Sequence, residues 1–261
     1  MNGMFRLDRL WRGSRPGEPL NNLHWHEAMA RCWPLPALSA DERPQLEALA
    51  REFLASRAWE GVGGLDPDER LRLAVTVQAC LPVLSLGLDW YSDWVTVLLY
   101  PSGFVARHVW EDEFGVVHEE EGPLVGEAWE RGPLVLSAED VLTPEPGFSV
   151  VVHECAHKLD MRNGDANGQP PLHAEMSPAR WKAAFSAAWD RFAEGVEAQA
   201  DWLPFDAYAA ENPGEFFAVA SEAFFTDPAP VQQVFPEVYQ QMVAFYRQDP
   251  LARLTRAGLL P

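Results

Sequence analysis

Apolar positions along the chain recur with helical spacing in several stretches. Leu46, Leu49, Ala50 and Phe53 fall on one face, and Ser39-Ala-Asp-Glu42 ahead of them has the reciprocal capping pattern; a helix is predicted from there to about Ala58. Leu71, Val75, Val77 and Ala79 mark a second, core-forming helix running towards Leu81. Its start is placed at Asp66-Pro67-Asp-Glu, with Pro67 as the first helical residue. Ser177-Pro178 opens a third, running to about Glu197 with Trp181, Ala184, Phe185, Ala188, Trp189 and Phe192 on its apolar side. A nearly all-apolar helix begins near Asn212, and Phe235 to Arg247 is amphipathic.

Between these helices the period changes. Asp93 to Tyr100 is β-branched and apolar, which predicts a strand closed by the turn Pro101-Ser-Gly103. Phe104 to Val109 and Val116 to His118 read as short strands around an acidic loop. Leu124 to Trp129 and Gly132 to Ser137 read as a hairpin or bent strand pair, followed by a capped turn at Ser137-Ala-Glu-Asp140. Such a pair serves equally as a core hairpin or as an edge on which an extended peptide pairs. Residues 1–20, interrupted by Gly13, Pro16, Gly17 and Pro19, are expected to be weakly ordered. Residues 21–38 are rich in Trp and Pro, and 251–261 are expected to be a tail. The sum is a single domain over 21–250, of mostly helical α+β class with a small mixed sheet.

The remaining stretch carries the chemistry. Val150 to Asp160 has no helix breaker and contains His153-Glu154-Cys155-Ala156-His157, the pattern H-E-x-x-H. Positions i and i+4 of a helix lie on one face, so both imidazoles can serve one ion, and Glu154 can reach a water rather than the metal. The surrounding apolar residues semi-bury both histidines; a pair of core histidines satisfied by backbone would not explain the Glu between them. Cys155 points to another face and reads as a small core residue. The loop after the motif holds Asn163-Gly164 and Asn167-Gly168, suited to positive φ.

A catalytic site of this kind needs a third ligand. The extended motif with a glycine and a third histidine is absent, since Asp160 and Asn163 occupy those positions. The acidic candidates downstream are Glu175, Glu194, Glu197, Glu211, Glu215 and Glu222. Glu215 lies three residues after Asn212, so it is either a ligand or the closing member of a capping box. Glu222, seven residues on, is a ligand, a support for a ligand, or the partner of a buried Arg. Asp160 either accepts a hydrogen bond from a ligand histidine or pairs with Lys158 or Arg162.

Composition narrows the partners. The net charge of −19 over 261 residues argues against direct contact with nucleic acid or an anionic membrane. Three widely spaced cysteines (Cys32, Cys80, Cys155) suggest no disulfide framework and fit a reducing compartment. Met1 to Arg15 carries four arginines without a long apolar run, so a signal peptide is not expected; no window approaches 18 uninterrupted apolar residues, so no membrane span is expected.

Taken with Gln78-Ala-Cys-Leu-Pro82, Tyr100-Pro-Ser-Gly-Phe104, Gly126-Glu-Ala-Trp129, Gly132-Pro-Leu-Val-Leu-Ser137, His153 to Asp160 running to Asn167-Gly168, and Glu215-Phe-Phe-Ala-Val-Ala-Ser-Glu222, most of the chain resembles the Mlc titration factor A family of bacterial zinc peptidases, related to the anthrax lethal factor catalytic domain. The resemblance implies a zincin-like fold and one Zn2+ per chain on His153, His157 and Glu215. It implies Glu154 as general base and Tyr208 as the donor that stabilises the oxyanion. It further implies aminopeptidase-like hydrolysis of short peptides, a cytoplasmic location, and a repressor partner of the Mlc type. Val219 departs from the lethal factor pattern, which has an acid there; Asp160 or Glu222 would take over its supporting place. No group that would hold a substrate α-amine is identified. The rival expectation is a non-catalytic protein that sequesters a regulator, with a structural or vestigial zinc site.

Overall fold

The structure, a computed structural model, describes residues 20, 22–32, 35–102, 104–111, 117–124, 126–128, 132–143 and 145–259; for residues 36, 104–111, 117–124 and 126–128 it describes the backbone alone. The expectation for residues 1–20 therefore falls, Leu20 apart, outside the described residues.

The first element among the described residues is α1 (Asn22–Arg31), which the sparse apolar pattern of residues 21–38 does not signal; only Ala28 and Met29 are buried on it. Helix α2 (Glu42–Ser56) starts where expected. Ser39 N–H donates to Glu42 Oε2 at 2.8 Å and Glu42 N–H to Ser39 Oγ at 3.2 Å, the reciprocal pair of a capping box. It stops at Ser56 because the chain turns directly into strand β1 (Ala58–Gly61), where Arg57 is already extended. Helix α3 (Glu69–Cys80) begins two residues later than predicted. Asp68, not Asp66, is its cap: the Asp68 carboxylate accepts from Leu71 N–H at 2.8 Å, which leaves Pro67 before the helix rather than in its first turn. From Leu71 to Cys80 nearly every α3 side chain is buried, so it runs through the core.

Strands β2 (Thr96–Tyr100), β5 (Gly126–Ala128) and β6 (Leu134–Ser137) join β1 in one sheet of order β1-β2-β6-β5. The first three are parallel, with Ala58 opposite Thr96 and Val97 opposite Leu134; β5 runs antiparallel to β6 and forms one edge. The sheet is thus small and mixed. Strands β3 (Phe104–Glu111) and β4 (Val117–Leu124) pair antiparallel as a separate ribbon, each reaching further than the short strands predicted; Gly103, Val116 and Trp129 lie outside the described residues.

Helix α4 (Ala138–Leu142) follows β6, capped by Ser137, and the motif helix α5 (Val150–Asp160) is capped by Ser149, whose Oγ accepts from Val152 N–H. After it come α6 (Pro178–Glu197), with Ser177 as its cap as predicted, and α7 (Pro213–Thr226), capped by Asn212. Helix α7 is buried all round, from Phe216 to Thr226, as its composition requires. Aromatic rings pack it in place: Trp181 stacks on Phe185 at 4.3 Å between centroids, and Phe216 meets Phe185, Phe192, Phe205 and Phe235 edge-on. Each such ring contributes about 1.5–3 kcal/mol by burial.

Helices α8 (Pro228–Val234), α9 (Pro236–Tyr246) and α10 (Pro250–Arg256) complete the chain. The stretch 251–261 is not simply a tail. Asp249 caps α10 with Pro250 in its first turn, Leu254 is buried, and Arg253 reaches back to Glu42 at the start of α2. A charged pair drawn from opposite ends of the chain is invisible to local pattern, which is why the helix was missed.

Candidate metal centre

Helix α5 crosses beneath the β5–β6 end of the sheet and packs against α3 and α7. His153 and His157, one turn apart, turn their rings toward the start of α7. Their Nε2 atoms lie 3.1 Å apart. Glu215 Oε2 lies 3.1 Å from His153 Nε2 and 3.3 Å from His157 Nε2. Among the described residues these three form a group whose ligand atoms all fall within 4.8 Å of one another. A tetrahedral site with nitrogen and oxygen bonds of roughly 2.0–2.1 Å spaces its ligands by about 3.3 Å, so the triangle has the size that a single bound metal ion requires. Glu215 Oε2 makes no well-directed hydrogen bond within the described residues despite these short distances, as expected of an atom placed for an ion rather than for a proton. The donor set, two imidazoles and a carboxylate, suits a divalent metal.

Local structure explains the convergence. Asn212 accepts from Glu215 N–H at 3.0 Å, so Glu215 does occupy the third position of a capped turn, but its carboxylate faces the histidines. Burial works against the charge on Glu215; the contacts and charge of His153 and His157 outweigh it and hold the carboxyl down at about 2. Burial likewise opposes a charged His153, and the carboxylates of Glu215 and Glu222 outweigh it, raising that imidazole well above its usual range.

Glu222 lies on the same face of α7. Its Oε1 accepts from His153 Nδ1 at 2.7 Å and its Oε2 accepts from Ser149 N–H at 2.7 Å. With Nδ1 donating to that oxygen, the neutral imidazole would carry its lone pair on Nε2, toward the cluster. Of the readings open for Glu222, the geometry therefore shows the support of a histidine, and Val219 at the position of the lethal factor acid is simply buried. Ser149 was not singled out by motif reasoning, although its place as the cap before an apolar helical run was readable.

Asp160 sits at the end of α5, fully buried. Its Oδ2 accepts from Gly168 N–H at 2.6 Å, in place of either a histidine or a salt bridge with Lys158 or Arg162. Lys158 donates instead to Gly132 O, and Arg162 to Asp89 O. Asp160 Oδ1 and His157 Nδ1 are both buried without a hydrogen-bond partner among the described residues. Burial raises the Asp160 carboxyl to about 6 against the opposing effect of the Gly168 bond. The loop that Asp160 holds touches α7: a Cβ on Gly168 would come within 2.5 Å of Pro213 O, and one on Gly214 within 2.6 Å of Ala166 O. That close approach, with φ +74° at Gly168, requires glycine and seats the first turn of α7, and hence Glu215, against the end of α5. Trp181 fastens the loop from the other side, its Nε1 donating to Gly168 O at 2.8 Å.

Glu154 is buried at 3 % exposure beside the cluster, and its Oε2 has no hydrogen-bond partner among the described residues. Burial raises its carboxyl to about 7, with His153 and His157 acting against the shift. Tyr208 stands on the 3₁₀ turn Ala207–Ala210, where Asp206 accepts from its N–H. Its ring centroid is 6.3 Å from that of His153 and the side chain is 42 % exposed, so it is not a packed loop residue. Burial on one side and the nearby carboxylates Glu215, Glu211 and Glu154 push its phenol upward, keeping the proton on oxygen. Cys155, as expected, is enclosed in the core on a different face.

Residues 8–247 match the family described as glucose-regulated metallo-peptidase M90. The chain is 38 % identical over 252 residues to proteins named Mlc titration factor A in Yersinia pestis (strain Pestoides F) and in Yersinia pseudotuberculosis serotype O:3 (strain YPIII), with 95 % of this chain and 92 % of each relative covered. A triangle of candidate ligand atoms, two from the H-E-x-x-H helix and one from α7, and a match across nearly the whole chain agree: this chain belongs to the M90 metallopeptidase family, that of Mlc titration factor A.

Proposed function

We propose that the chain is a zinc-dependent peptidase of the type that adds a downstream Glu to H-E-x-x-H, with His153, His157 and Glu215 holding one Zn2+. The observation that carries this reading is the pairing of the ligand triangle with a buried Glu154 whose Oε2 has no hydrogen-bond partner among the described residues. A purely structural site is closed by four protein ligands and has no use for such a group; here the described residues supply three. When bound, zinc supplies Lewis-acid polarisation and an acidified water. Glu154 takes the proton of the attacking water and delivers it to the leaving amine, a task matched to a pKa near the working pH. Tyr208, a neutral phenol at the open side of the site, donates a hydrogen bond to the oxygen on which charge develops. Among the described residues β5 is the edge of its sheet beside α5, and its backbone groups would serve an extended peptide, which short substrates and an aminopeptidase-like preference would exploit. Three buried, unpaired thiols suit a reducing compartment such as the cytoplasm. Among the described residues no helix is long and apolar enough to cross a membrane.

The test is hydrolysis of amino-acid anilides and short peptides by the zinc-loaded protein beside zinc-loaded Glu154→Gln. Cleavage by the wild type alone supports the reading. A protein that holds zinc and cleaves nothing across the panel favours a second reading, to which the name of the relatives points: sequestration of a repressor of the Mlc type. Binding of such a repressor by Glu154→Gln as tightly as by the wild type would show that sequestration does not depend on hydrolysis.

A further inference from the structure

Helix α3 buries one amide, Gln78, in its mostly apolar inner stretch. Gln78, 4 % exposed, donates through Nε2 to Ala74 O at 2.9 Å and to Val141 O at 3.2 Å, and its Oε1 accepts from the Ser149 hydroxyl at 2.9 Å. Exchanging amide nitrogen and oxygen would set a carbonyl against two carbonyls, so these partners fix the orientation. The Ser149 proton is thereby committed to Gln78. Its oxygen accepts from Val152 N–H at 3.2 Å, closing the first turn of α5, and its own N–H points to Glu222 Oε2 at 2.7 Å. The other Glu222 oxygen takes the proton of His153 Nδ1. A continuous chain of hydrogen bonds thus runs Gln78–Ser149–Glu222–His153 and links α3, the cap of α5, α7 and the metal helix.

We propose that Gln78 is a positioning residue of the metal centre: through Ser149 it holds the Glu222 carboxylate, and with it the His153 ring, in the orientation that presents Nε2 to the ion. The inference rests on the reading of the triangle as a metal site. A Met or Leu would fill the same space without the cost of desolvating an amide, roughly 1–3 kcal/mol when left unpaired. The amide is retained at a point where each of its bonds ends on the frame of α3, on α4, or on the cap that aims Glu222. Partners behind a ligand histidine set its ring orientation and basicity, and their loss weakens metal binding about 10–100-fold.

The experiment measures the zinc dissociation constant by competition with a chromogenic chelator. Gln78→Met keeps length and volume and removes the amide. Expected is a dissociation constant raised about 10-fold with the circular dichroism spectrum and elution volume of the wild type. Because the route passes through Glu222, Gln78→Met placed on Glu222→Ala should change affinity by less than about twofold. If Gln78→Met does not fold, Ser149→Ala breaks the same Gln78–Ser149 bond from its other side while the backbone N–H on Glu222 stays, and is expected to loosen zinc in the same way. The proposal is overturned by a Gln78→Met protein that is less stable yet holds zinc as tightly as the wild type, or by equal loosening with and without Glu222. A wild type that binds no zinc, or a His153→Ala protein that keeps it stoichiometrically, would instead remove the metal centre itself. Tight, His153-dependent binding that ignores Gln78 would leave the centre standing and refute only the relay.

Discussion

His153 donates from Nδ1 to Glu222 Oε1 at 2.7 Å while its Nε2 stands 3.1 Å from Glu215 Oε2, so two glutamates seven residues apart on α7 serve opposite nitrogens of one ring. The geometry separates their effects. Glu215→Ala removes a candidate ligand atom and should abolish stoichiometric zinc under dilute conditions. Glu222→Ala leaves the triangle intact and should weaken zinc by about 10–100-fold. Metal content after dialysis and chelator competition on both proteins decide it; the reverse order would place the third ligand at Glu222.

That distinction shows where local sequence stops informing. The pairing of His153 with His157 is a property of a single helix turn and was legible, as were the capped starts at Ser39, Ser177 and Asn212. The choice of Glu215 among six acidic candidates was not, because it depends on how α7 docks on α5, and residues alone left it also a capping residue. The resemblance to a family, not periodicity, pointed to it. Strand β1 escaped because four residues, Ala58–Gly61, show no alternation and owe their conformation to parallel pairing with β2, nearly forty residues on. Asp66 and Asp68 both precede an apolar run, and only the bond from Leu71 N–H singles out Asp68 as the cap. The residues around Asp160 suggest charged or histidine partners, yet its carboxylate serves a backbone N–H, for which sequence has no code.

Tyr208 faces the site with its phenol pushed upward, and so remains a hydrogen-bond donor at neutral pH. Tyr208→Phe removes the donor and little else, since the ring is 42 % exposed and its anchoring is through the backbone. Loss of an oxyanion donor costs about 100-fold or more in kcat. The expected protein binds zinc normally, has a KM near that of the wild type and a kcat lower by about that factor. Unchanged turnover in a steady-state assay on the best substrate would make Tyr208 a bystander at the mouth of the site.

The loop after the metal helix transmits its position to Glu215. Gly168→Ala puts a side chain at φ +74°, costing about 1–2 kcal/mol, and drives a methyl toward Pro213 O at 2.5 Å. The first turn of α7 must yield, since the opposite face of the loop is held by Asp160 and Trp181. The expected protein has a lower urea midpoint and also weaker zinc. A loss of stability with unchanged zinc affinity would show that Glu215 is placed independently of this loop.

A last prediction concerns the two ends of the chain. Arg253 on α10, 2 % exposed, donates from Nη2 to Glu42 Oε1 at 2.7 Å and from Nε at 3.1 Å, with Gln248 Oε1 as a further acceptor. Burial works against the Glu42 charge, but these bonds and the Ser39 N–H outweigh it and hold the carboxyl below its ordinary 4.5. A carboxyl lowered by folding contributes stability that is fully present above the unfolded value and is lost as pH falls through the folded one. Glu42→Gln removes the charge and strands a buried guanidinium, a change that costs roughly 3–5 kcal/mol where both partners are buried. Glu42 is partly open to water, so about 2 kcal/mol is expected at pH 7. Urea unfolding of the wild type and Glu42→Gln at pH 7 and again near pH 3 measures both parts. The gap between the two proteins should be widest at pH 7 and should narrow in acid, because protonation removes from the wild type what the substitution has already taken. A gap that stays constant, or no gap at neutral pH, would mean that α10 is fastened by Leu254 and its apolar neighbours, with the ion pair adding nothing.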